Sequence, residues 1–420
     1  MTYRSDKCLI STYFLTQQVF FLNIFILDIE KAFDRFPGSQ IDFDMKYSYL
    51  IVGAGFTGAV IAREIAEKCN EQVLVIDRRN HVSGNAFDHN DKNGILIHQY
   101  GPHIFHTNSL QVWEFLSRFT EWNSYEHRVL GQVGKELIPI PFNFTSIETL
   151  FSSKEADIIK SHLLEEHGNE VKVPILKLME SKNRFVKELA DYVYNNIFFN
   201  YTKKMWDLEP QELDPQVLSR VPIQIGYDDR YFHDQYQAMP KEGYTKMFQK
   251  ILNHPNIEVK LSTHFKDISD PNEFKKIIYT GPIDEFFDYR HGELPYPSIR
   301  FEFLNHDTEY RQKVGTMNFP GFEFRHIRMT EFKHMTFQKN PKTTLCREYP
   351  EAYNPKLNLP YYPIPTKENK KLLQQYRNDA EKIKPGGFRW EAGRLPISKH
   401  GPGGCPGPAI FPKRNFIKGL

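Results

Sequence analysis

The hydrophobic positions near residue 50 change from a short unbroken run to a helical repeat and back again. Tyr49–Val52 and Val73–Ile76 are both wholly apolar or aromatic, as is typical of strands buried on both faces of a parallel sheet. Between them, small and apolar residues recur three or four positions apart from Ala59 to Ala66, which predicts a helix with one buried face. The pattern therefore predicts a strand, a helix and a second strand, the repeating unit of an α/β fold.

The middle of the chain has a different pattern. Residues 154–167 and 181–196 combine mixed charge with periodic apolar positions, and glycine is scarce, so we expect helices over about residues 144–218. From residue 221 onward, prolines, aromatic residues and β-branched residues favour strands and loops. The apolar stretch 275–281 ends in a turn and predicts a strand that returns to the first sheet.

Composition narrows the class of protein. The chain has 420 residues, which suggests two or three domains, and Lys+Arg 54 against Asp+Glu 52 gives a net charge of +2. That balance argues against a nucleic-acid-binding protein. The four cysteines are far apart, without the spacing of a zinc site or a disulfide framework, which fits a reducing cytoplasm. The apolar run 19–27 is shorter than the about 20 residues of a membrane-spanning helix, and no small-residue cleavage site follows it. We expect a cytoplasmic protein without a membrane span.

Glycines follow the first predicted strand at a spacing that indicates a nucleotide site. Gly53, Gly55 and Gly58 form the pattern G-x-G-x-x-G between strand and helix, and Asp77 stands 19 residues after the last glycine. Gly53 permits a tight turn, Gly55 lets a pyrophosphate approach the backbone, and Gly58 lets helix and strand pack closely. Asp77 would accept a hydrogen bond from a ribose hydroxyl. The alternative is a glycine-rich structural turn.

The residues after Asp77 favour FAD over NAD. Arg78 and Arg79 follow the acid, and Ser83, Gly84 and Asn85 follow at the distance where flavoproteins often carry a pair of glycines. Ser83 stands in place of the first glycine of that pair.

Two histidines, His103 and His106, are three residues apart after a Gly-Pro pair. No third ligand follows at suitable spacing and Gly-Pro indicates a turn, so we expect no metal. Packed histidines, or histidines beside a cofactor, are the remaining interpretations.

Together with motifs before and after these histidines, the sequence resembles UDP-galactopyranose mutases of the bacterial type over about residues 45–383. The motifs that carry the resemblance are residues 53–58, 83–86, 101–107, 140–143, 201–206, 227–232, 239–245, 281–284, 328–331, 347–349 and 361–365. The first is shared by many flavoproteins, whereas the later motifs are specific in combination.

The resemblance implies an α/β fold in which a Rossmann-like FAD-binding domain carries an inserted helical domain and a twisted antiparallel β-sheet. We expect residues 1–44 to be an extension outside the fold. Residues 45–140 would begin the FAD-binding domain and residues 141–220 would form the helical substrate domain. Residues 221–383 would supply the antiparallel sheet and returning segments of the FAD domain, and residues 384–420 a divergent Gly/Pro-rich tail. A homodimer is also implied.

The resemblance further implies a reaction. Such mutases interconvert UDP-galactopyranose and UDP-galactofuranose with reduced FAD, whose N5 is thought to form an adduct with the sugar, and they supply galactofuranose for cell-surface glycans. Two alternatives stay open: an FAD-dependent oxidoreductase of the amine-oxidase fold, and an inactive relic of the mutase.

Site residues carry over by motif. The cofactor positions are Gly53, Gly55, Phe56, Thr57, Gly58, Asp77, Arg78, Asn85, His103, Ile104 and Arg394. The substrate positions are Asn143, Phe198, Tyr201, Thr202, Trp206, Tyr231, Tyr236, Asn318, Arg328 and Tyr349. His103, His106 and Arg328 are the implied catalytic residues. Trp206 would stack on uracil and Arg328 would bind the diphosphate.

The sequence departs from the family in two places. Gln224 stands where many members carry an arginine on a mobile loop that closes over the diphosphate. The family also closes with a strand ending in Gly-Arg-Leu and an amphipathic helix beside the flavin. This chain has Gly393, Arg394 and Leu395, but 14 of its residues 385–420 are proline or glycine. Because both residue types disfavour helix, we expect weak FAD binding by this exact chain.

Overall fold

The computed structural model describes the backbone of residues 25–28 and, beyond it, residues 46–168, 171–209, 212–213, 222–361 and 363–382. The strands in this part of the chain are β1 (Phe25–Asp28), β2 (Tyr49–Val52), β3 (Val73–Ile76), β4 (Asp88–Asn90), β5 (Leu96–His98), β6 (Phe105–Thr107), β7 (Trp122–Ser124), β8 (Val129–Val133), β9 (Glu136–Ile140), β10 (Lys172–Pro174), β11 (Pro222–Gln224), β12 (Tyr236–Pro240), β13 (Ile257–Lys260), β14 (Lys276–Tyr279), β15 (Pro297–His306), β16 (Thr316–Asn318), β17 (Arg328–Glu331) and β18 (Thr343–Ala352). The α-helices are α1 (Phe56–Lys68), α2 (Leu110–Ser117), α3 (Phe144–Leu150), α4 (Ser153–His167), α5 (Ile175–Met179), α6 (Arg184–Val193), α7 (Asn200–Trp206), α8 (Tyr244–Leu252), α9 (Ile283–Phe286), α10 (Lys333–Thr336) and α11 (Lys367–Lys382).

The predicted strand–helix–strand unit is the centre of a five-stranded sheet in the order β1-β14-β2-β3-β13. β14, β2, β3 and β13 run parallel, with Leu50 paired to both Leu74 and Ile277. Every residue of β3 and β14 is buried, which explains the apolar runs Val73–Ile76 and Ile277–Tyr279, although β14 begins with the buried Lys276. The strand predicted over residues 275–281 is therefore confirmed as β14.

The fifth strand of this sheet comes from the N-terminal segment. Phe25–Asp28 pairs antiparallel with Lys276–Tyr279 and lies at the edge of the sheet. The structure thus places four residues of segment 1–44 in the fold, which differs from our expectation for that segment. The physical reason is that β14 offers an unpaired row of backbone groups at this edge, which an extended segment can satisfy.

A second sheet has six strands in the order β15-β18-β17-β16-β8-β9. All neighbouring pairs are antiparallel except β16 with β8, and β15 and β18 are paired over ten residues each. β8 and β9 lie within residues 129–140, so this part of the expected first FAD-domain segment belongs to the second sheet.

Helices α3 to α7 form the predicted helical region. Asn143 and Ser152 cap α3 and α4 with reciprocal capping boxes, which fixes where both helices begin. α6 continues through one π-helical turn, Tyr194–Phe199, into α7. Such a π-helical turn is often found at functional sites.

Among the helices of the described residues, none combines the length and the apolar character of a membrane-spanning segment.

Candidate functional site

A cavity of about 570 Å³ opens at the carboxyl ends of β2 and β14. In open α/β sheets this edge is the usual ligand site, and the volume is in the range of small-molecule pockets. Predicted cofactor residues that line it are Gly53, Gly55, Asp77, Arg78 and Asn85. The cavity therefore brings the G-x-G-x-x-G loop and the acid after β3 together.

The glycines have the distinct roles that their spacing predicts. Gly53 has φ +111°, a conformation that side chains disfavour. A Cβ on Gly58 would lie 1.8 Å from the carbonyl oxygen of Gly53, so helix and turn pack too closely for any side chain. A Cβ on Gly55 would meet its nearest atom, Cα of Gly84, at 3.7 Å. Gly55 is therefore open towards the cavity.

The acid of the motif organises the loop. Asp77 is buried and its Oδ2 accepts from the backbone nitrogen of Ala54 at 2.8 Å, while Oδ1 accepts from that of Arg79 at 2.9 Å. Each carboxylate oxygen has a second lone pair that a ribose hydroxyl can use. Gly55 precedes α1 without a side-chain cap, so the first amides of this 13-residue helix can meet a negative group.

Ser83 stands where flavoproteins often carry a glycine, and it adopts a left-handed backbone conformation that favours glycine. Its φ is +78°, and its hydroxyl is buried without a hydrogen-bond partner among the described residues. Its backbone nitrogen donates to the carbonyl of Ala54 at 2.9 Å, which ties this turn to the nucleotide loop. The next residues continue the wall of the cavity, where Asn85 accepts from Arg79 at 2.8 Å.

Other predicted cofactor residues are packed beside this loop. Phe56 contacts the rings of Tyr244 and Phe248 edge-on, and Thr57 lies in the first turn of α1. Ile104 is buried. Arg394 lies outside the described residues.

His103 is held as a neutral side chain. Its Nδ1–H donates to the carbonyl of Gly101 at 3.0 Å, and its backbone nitrogen donates to Nδ1 of His98, also at 3.0 Å. Burial, with the neighbouring His98, lowers the pKa of His103 to about 4. Because Nδ1 carries the proton, Nε2 of this neutral ring is an acceptor.

A second group of predicted residues meets in the six-stranded sheet. Asn318 and Arg328 are cross-strand partners on β16 and β17. The guanidinium of Arg328 lies 3.3 Å from the buried carboxylate of Glu348 and donates to the hydroxyl of Tyr201 at 3.5 Å. Oδ1 of Asn318 is buried without a hydrogen-bond partner in the described part of the chain. Buried polar atoms are normally paired, so this oxygen is suited to a ligand.

The helical region supplies the opposite side of this group. Phe198, Tyr201 and Asn318 line one small cavity of about 20 Å³. Thr202 is buried next to Tyr201, and its hydroxyl has no partner among the described residues. Trp206 packs in a separate cluster with Leu213. The stacking of Trp206 on uracil stays a prediction.

The third group contains His106 and the aromatic residues around it. Nδ1 of His106 lies 2.7 Å from Oδ2 of Asp234, and its ring stacks on Phe232 at 3.7 Å. The ring of His127 lies 6.1 Å from that of Phe232 and contacts Tyr231 edge-on. Burial, together with the smaller effects of Arg328 and then His106, lowers the pKa of His127 to about 3. His127 therefore connects this group to Arg328.

Three predicted substrate residues have other contacts. Asn143 is fully buried as the cap of α3 and donates to the carbonyl of Asp228 at 3.3 Å. Tyr236 stacks on Trp113 at 5.0 Å. Tyr349 follows Glu348 in β18, so it lies on the opposite face of the sheet from the Arg328 pair. The structure does not bring these three beside Arg328.

Gln224 lies in β11, paired antiparallel with β10, and its side chain is buried. Its cross-strand partner is Lys172, a half-buried cation. Burial lowers the pKa of Lys172 against the opposing effect of Asp234 and Asp228.

Sequence reasoning missed two parts of the site. Glu348 was part of a motif, but only the register of β17 and β18 shows that it is opposite Arg328. Helix α11 lines the nucleotide cavity with Asn369, Lys370 and Gln374, and nothing in its sequence pattern indicates a ligand.

Comparison with known proteins identifies the family. A model described as UDP-galactopyranose mutase matches residues 196–397, and one described as an NAD(P)-binding Rossmann-like domain matches residues 51–119. A probable UDP-galactopyranose mutase of Klebsiella pneumoniae is 35% identical over 80% of this chain and 86% of its own length. A dTDP-fucopyranose mutase of Escherichia coli is 33% identical over 79% and 89%.

Solved structures agree on the fold. The crystal structure of a reduced UDP-galactopyranose mutase superposes with a TM-score of 0.57 at 13% identity, covering 80% of this chain and 88% of that one. The expected α/β fold with a Rossmann-like domain is confirmed. On its sequence similarity to the curated mutases, which extends over four fifths of its length, the chain belongs to the UDP-galactopyranose mutase family of isomerases.

Proposed function

We propose that this protein interconverts UDP-galactopyranose and UDP-galactofuranose and that it uses FAD in the reduced form. The observation that carries the proposal is the cross-strand pair of Asn318 and Arg328, which meets Tyr201 of the helical region. An arginine held between two elements, next to an unpaired amide oxygen, suits a diphosphate and a sugar hydroxyl.

The residues of the first cavity fit FAD. The glycine loop leaves room for a pyrophosphate at Gly55, the amides of α1 supply donors, and Asp77 supplies the ribose acceptor. Arg78 and Asn85 line the same cavity. FAD held by these residues in its reduced form would supply the nucleophile for the anomeric carbon.

The protein's own groups bind and orient the sugar nucleotide. Arg328 would bind the diphosphate, and Oδ1 of Asn318 would accept from a sugar hydroxyl. His103 remains neutral and can accept a proton at Nε2. Asp234 orients His106 through its Nδ1, which leaves Nε2 as the proton-transferring atom of that ring.

The direct test is turnover of purified protein with UDP-galactofuranose before and after chemical reduction. Activity is expected only after reduction, without consumption of NADH in proportion to product. Stoichiometric loss of hydride would favour the oxidoreductase alternative, and absence of both flavin absorption and turnover would favour the inactive relic. Because a relative acts on a dTDP-sugar, dTDP-fucose is the comparison substrate. A higher kcat/KM with it would contradict the proposed substrate.

Binding of UDP alone tests the residues. Trp206→Ala should weaken UDP binding by about 1–3 kcal/mol if the indole stacks on the base. Arg328→Ala should lower kcat/KM, since a charged hydrogen bond contributes about 1.5–3 kcal/mol. Unchanged UDP affinity in the Trp206 variant would assign that residue to packing alone.

We further propose a cytoplasmic homodimer that supplies galactofuranose for cell-surface glycans. Size-exclusion chromatography with light scattering tests the dimer, and a monomer at working concentration would contradict it.

A further inference from the structure

Lys204 makes an unusual set of contacts at the rim of the sugar-nucleotide site. Its ammonium donates to the carbonyl oxygens of Phe319 at 2.7 Å, Gly321 at 2.9 Å and His326 at 3.0 Å. An ammonium has three N–H donors, so these carbonyls satisfy it fully. The side chain is partly buried, and no carboxylate lies within ion-pair distance among the described residues. A cation placed on three carbonyls of one loop serves to hold that loop.

The loop in question, residues 319–327, connects β16 to β17. The two residues that flank it are Asn318 and Arg328, which are cross-strand partners and belong to the proposed substrate site. The backbone nitrogen of Phe319 donates to the carbonyl of Ile327 at 2.9 Å and closes the loop at its base. The position of the loop therefore sets the position of both flanking side chains.

The same helix contacts the sheet at a second point. Tyr201 lies one turn before Lys204 on α7, and its hydroxyl accepts from Arg328. Residues three apart lie on one side of a helix, so Tyr201 and Lys204 face the sheet together. We propose that Lys204 is a positioning residue of the sugar-nucleotide site, whose ammonium holds the 319–327 loop against α7 and thereby fixes Asn318 and Arg328. This inference rests on the proposed function.

The charge on Lys204 can be titrated. Burial lowers its pKa to about 8, opposed by Glu323 of the loop. His326 of the same loop is a second titratable group beside it: burial, and then the charges of Arg347 and Lys204, lower the pKa of His326 to about 4. Above pH 8 the ammonium becomes an amine with one donor fewer, so the loop is held less firmly.

Lys204→Met removes the charge and the donors but keeps an unbranched stem. UDP affinity, measured by calorimetry, should fall about 10-fold, and kcat/KM with UDP-galactofuranose should fall about 10- to 100-fold, as misplacement of binding groups does. Amide hydrogen exchange in residues 319–327 should become faster. Lys203→Met is the matched control, because Lys203 is the neighbour of Lys204 on α7 but pairs with Glu209 instead. This variant should leave all three measurements unchanged.

The pH profile separates positioning from general stability. UDP affinity of the parent should fall between pH 7 and 9 with a midpoint near 8, whereas Lys204→Met should show no such fall. Lys204→Arg should not restore parental affinity, because a planar guanidinium cannot direct donors at three carbonyls around one point. The parent's own titration supplies the test if the methionine variant does not fold.

The outcomes are distinct for the two proposals. A parent that binds UDP but turns over neither sugar would contradict the proposed function, while UDP affinity still tests Lys204. Equal UDP affinity and loop exchange in parent and Lys204→Met, or a parental affinity without change between pH 7 and 9, would overturn the role of Lys204.

Discussion

Gly55 and Gly58 are only three residues apart, yet their backbones are constrained for different reasons. Gly58 has Gly53 O where a Cβ would be, whereas Gly55 has open space towards the cavity. The same motif thus contains one glycine required by the fold and one required by the ligand.

We predict that Gly55→Val folds with parental stability but loses flavin absorption, because its side chain enters the space of the pyrophosphate. Gly58→Val should instead lower the free energy of unfolding by several kcal/mol, since overpacking alone costs about 1–3 kcal/mol. Thermal unfolding and the visible absorption spectrum measure the two effects. Equal flavin content in Gly55→Val and parent would refute the role given to Gly55.

Ser83 gives a second test at the residue scale. Its left-handed backbone costs about 1–2 kcal/mol for a residue with a Cβ. A glycine at this position avoids that cost but loses about 0.5–1 kcal/mol more conformational entropy on folding. Its unpartnered buried hydroxyl adds to the cost. Ser83→Gly should therefore stabilise the protein by about 1 kcal/mol, measured by denaturant unfolding. Ser83→Ala retains the backbone strain and separates the two contributions; a destabilised glycine variant would contradict this account.

At the scale of elements, the buried pair of Arg328 and Glu348 joins β17 to β18. Both side chains are almost fully buried, and burial raises the pKa of Glu348 against the opposing effect of Arg328. A buried charge that loses its partner is costly, whereas an apolar replacement of both partners often is not.

We predict that Glu348→Ala lowers the free energy of unfolding by about 3–5 kcal/mol, because the cation of Arg328 is left uncompensated. The double variant Arg328→Met with Glu348→Leu should recover most of that stability and still fail to bind UDP. Calorimetric UDP binding and denaturant unfolding give the two values. A double variant with parental UDP affinity would place the diphosphate elsewhere.

At the scale of the whole molecule, three histidines are buried between the sheets and the loops around them. Burial lowers the pKa to about 3 for His98, about 4 for His103 and about 3 for His127. In the unfolded chain each titrates near 6.5. The unfolded state therefore binds more protons below pH 6.5, and stability falls as pH falls.

Between pH 6.5 and its folded pKa, each of these histidines should change the free energy of unfolding by about 1.4 kcal/mol per pH unit. The three together should therefore contribute about 4 kcal/mol per pH unit. Denaturant unfolding at pH 7, 6 and 5 measures the slope. His127→Gln should reduce this slope by about a third. A parental slope in His127→Gln would show that this ring does not titrate as described.

The sequence alone determined the local features of this protein. The apolar runs of β2 and β3, the glycine spacing and Asp77 follow from short-range sterics and hydrogen bonding, which neighbouring residues dictate. Motifs along the chain also indicated the family and Arg328. The tertiary structure decided which residues meet, because strand register and helix packing depend on contacts between residues far apart in sequence. Only register brings Glu348 opposite Arg328 and turns Tyr349 to the other face, and only the docking of α7 on the sheet brings Lys204 to the loop between Asn318 and Arg328.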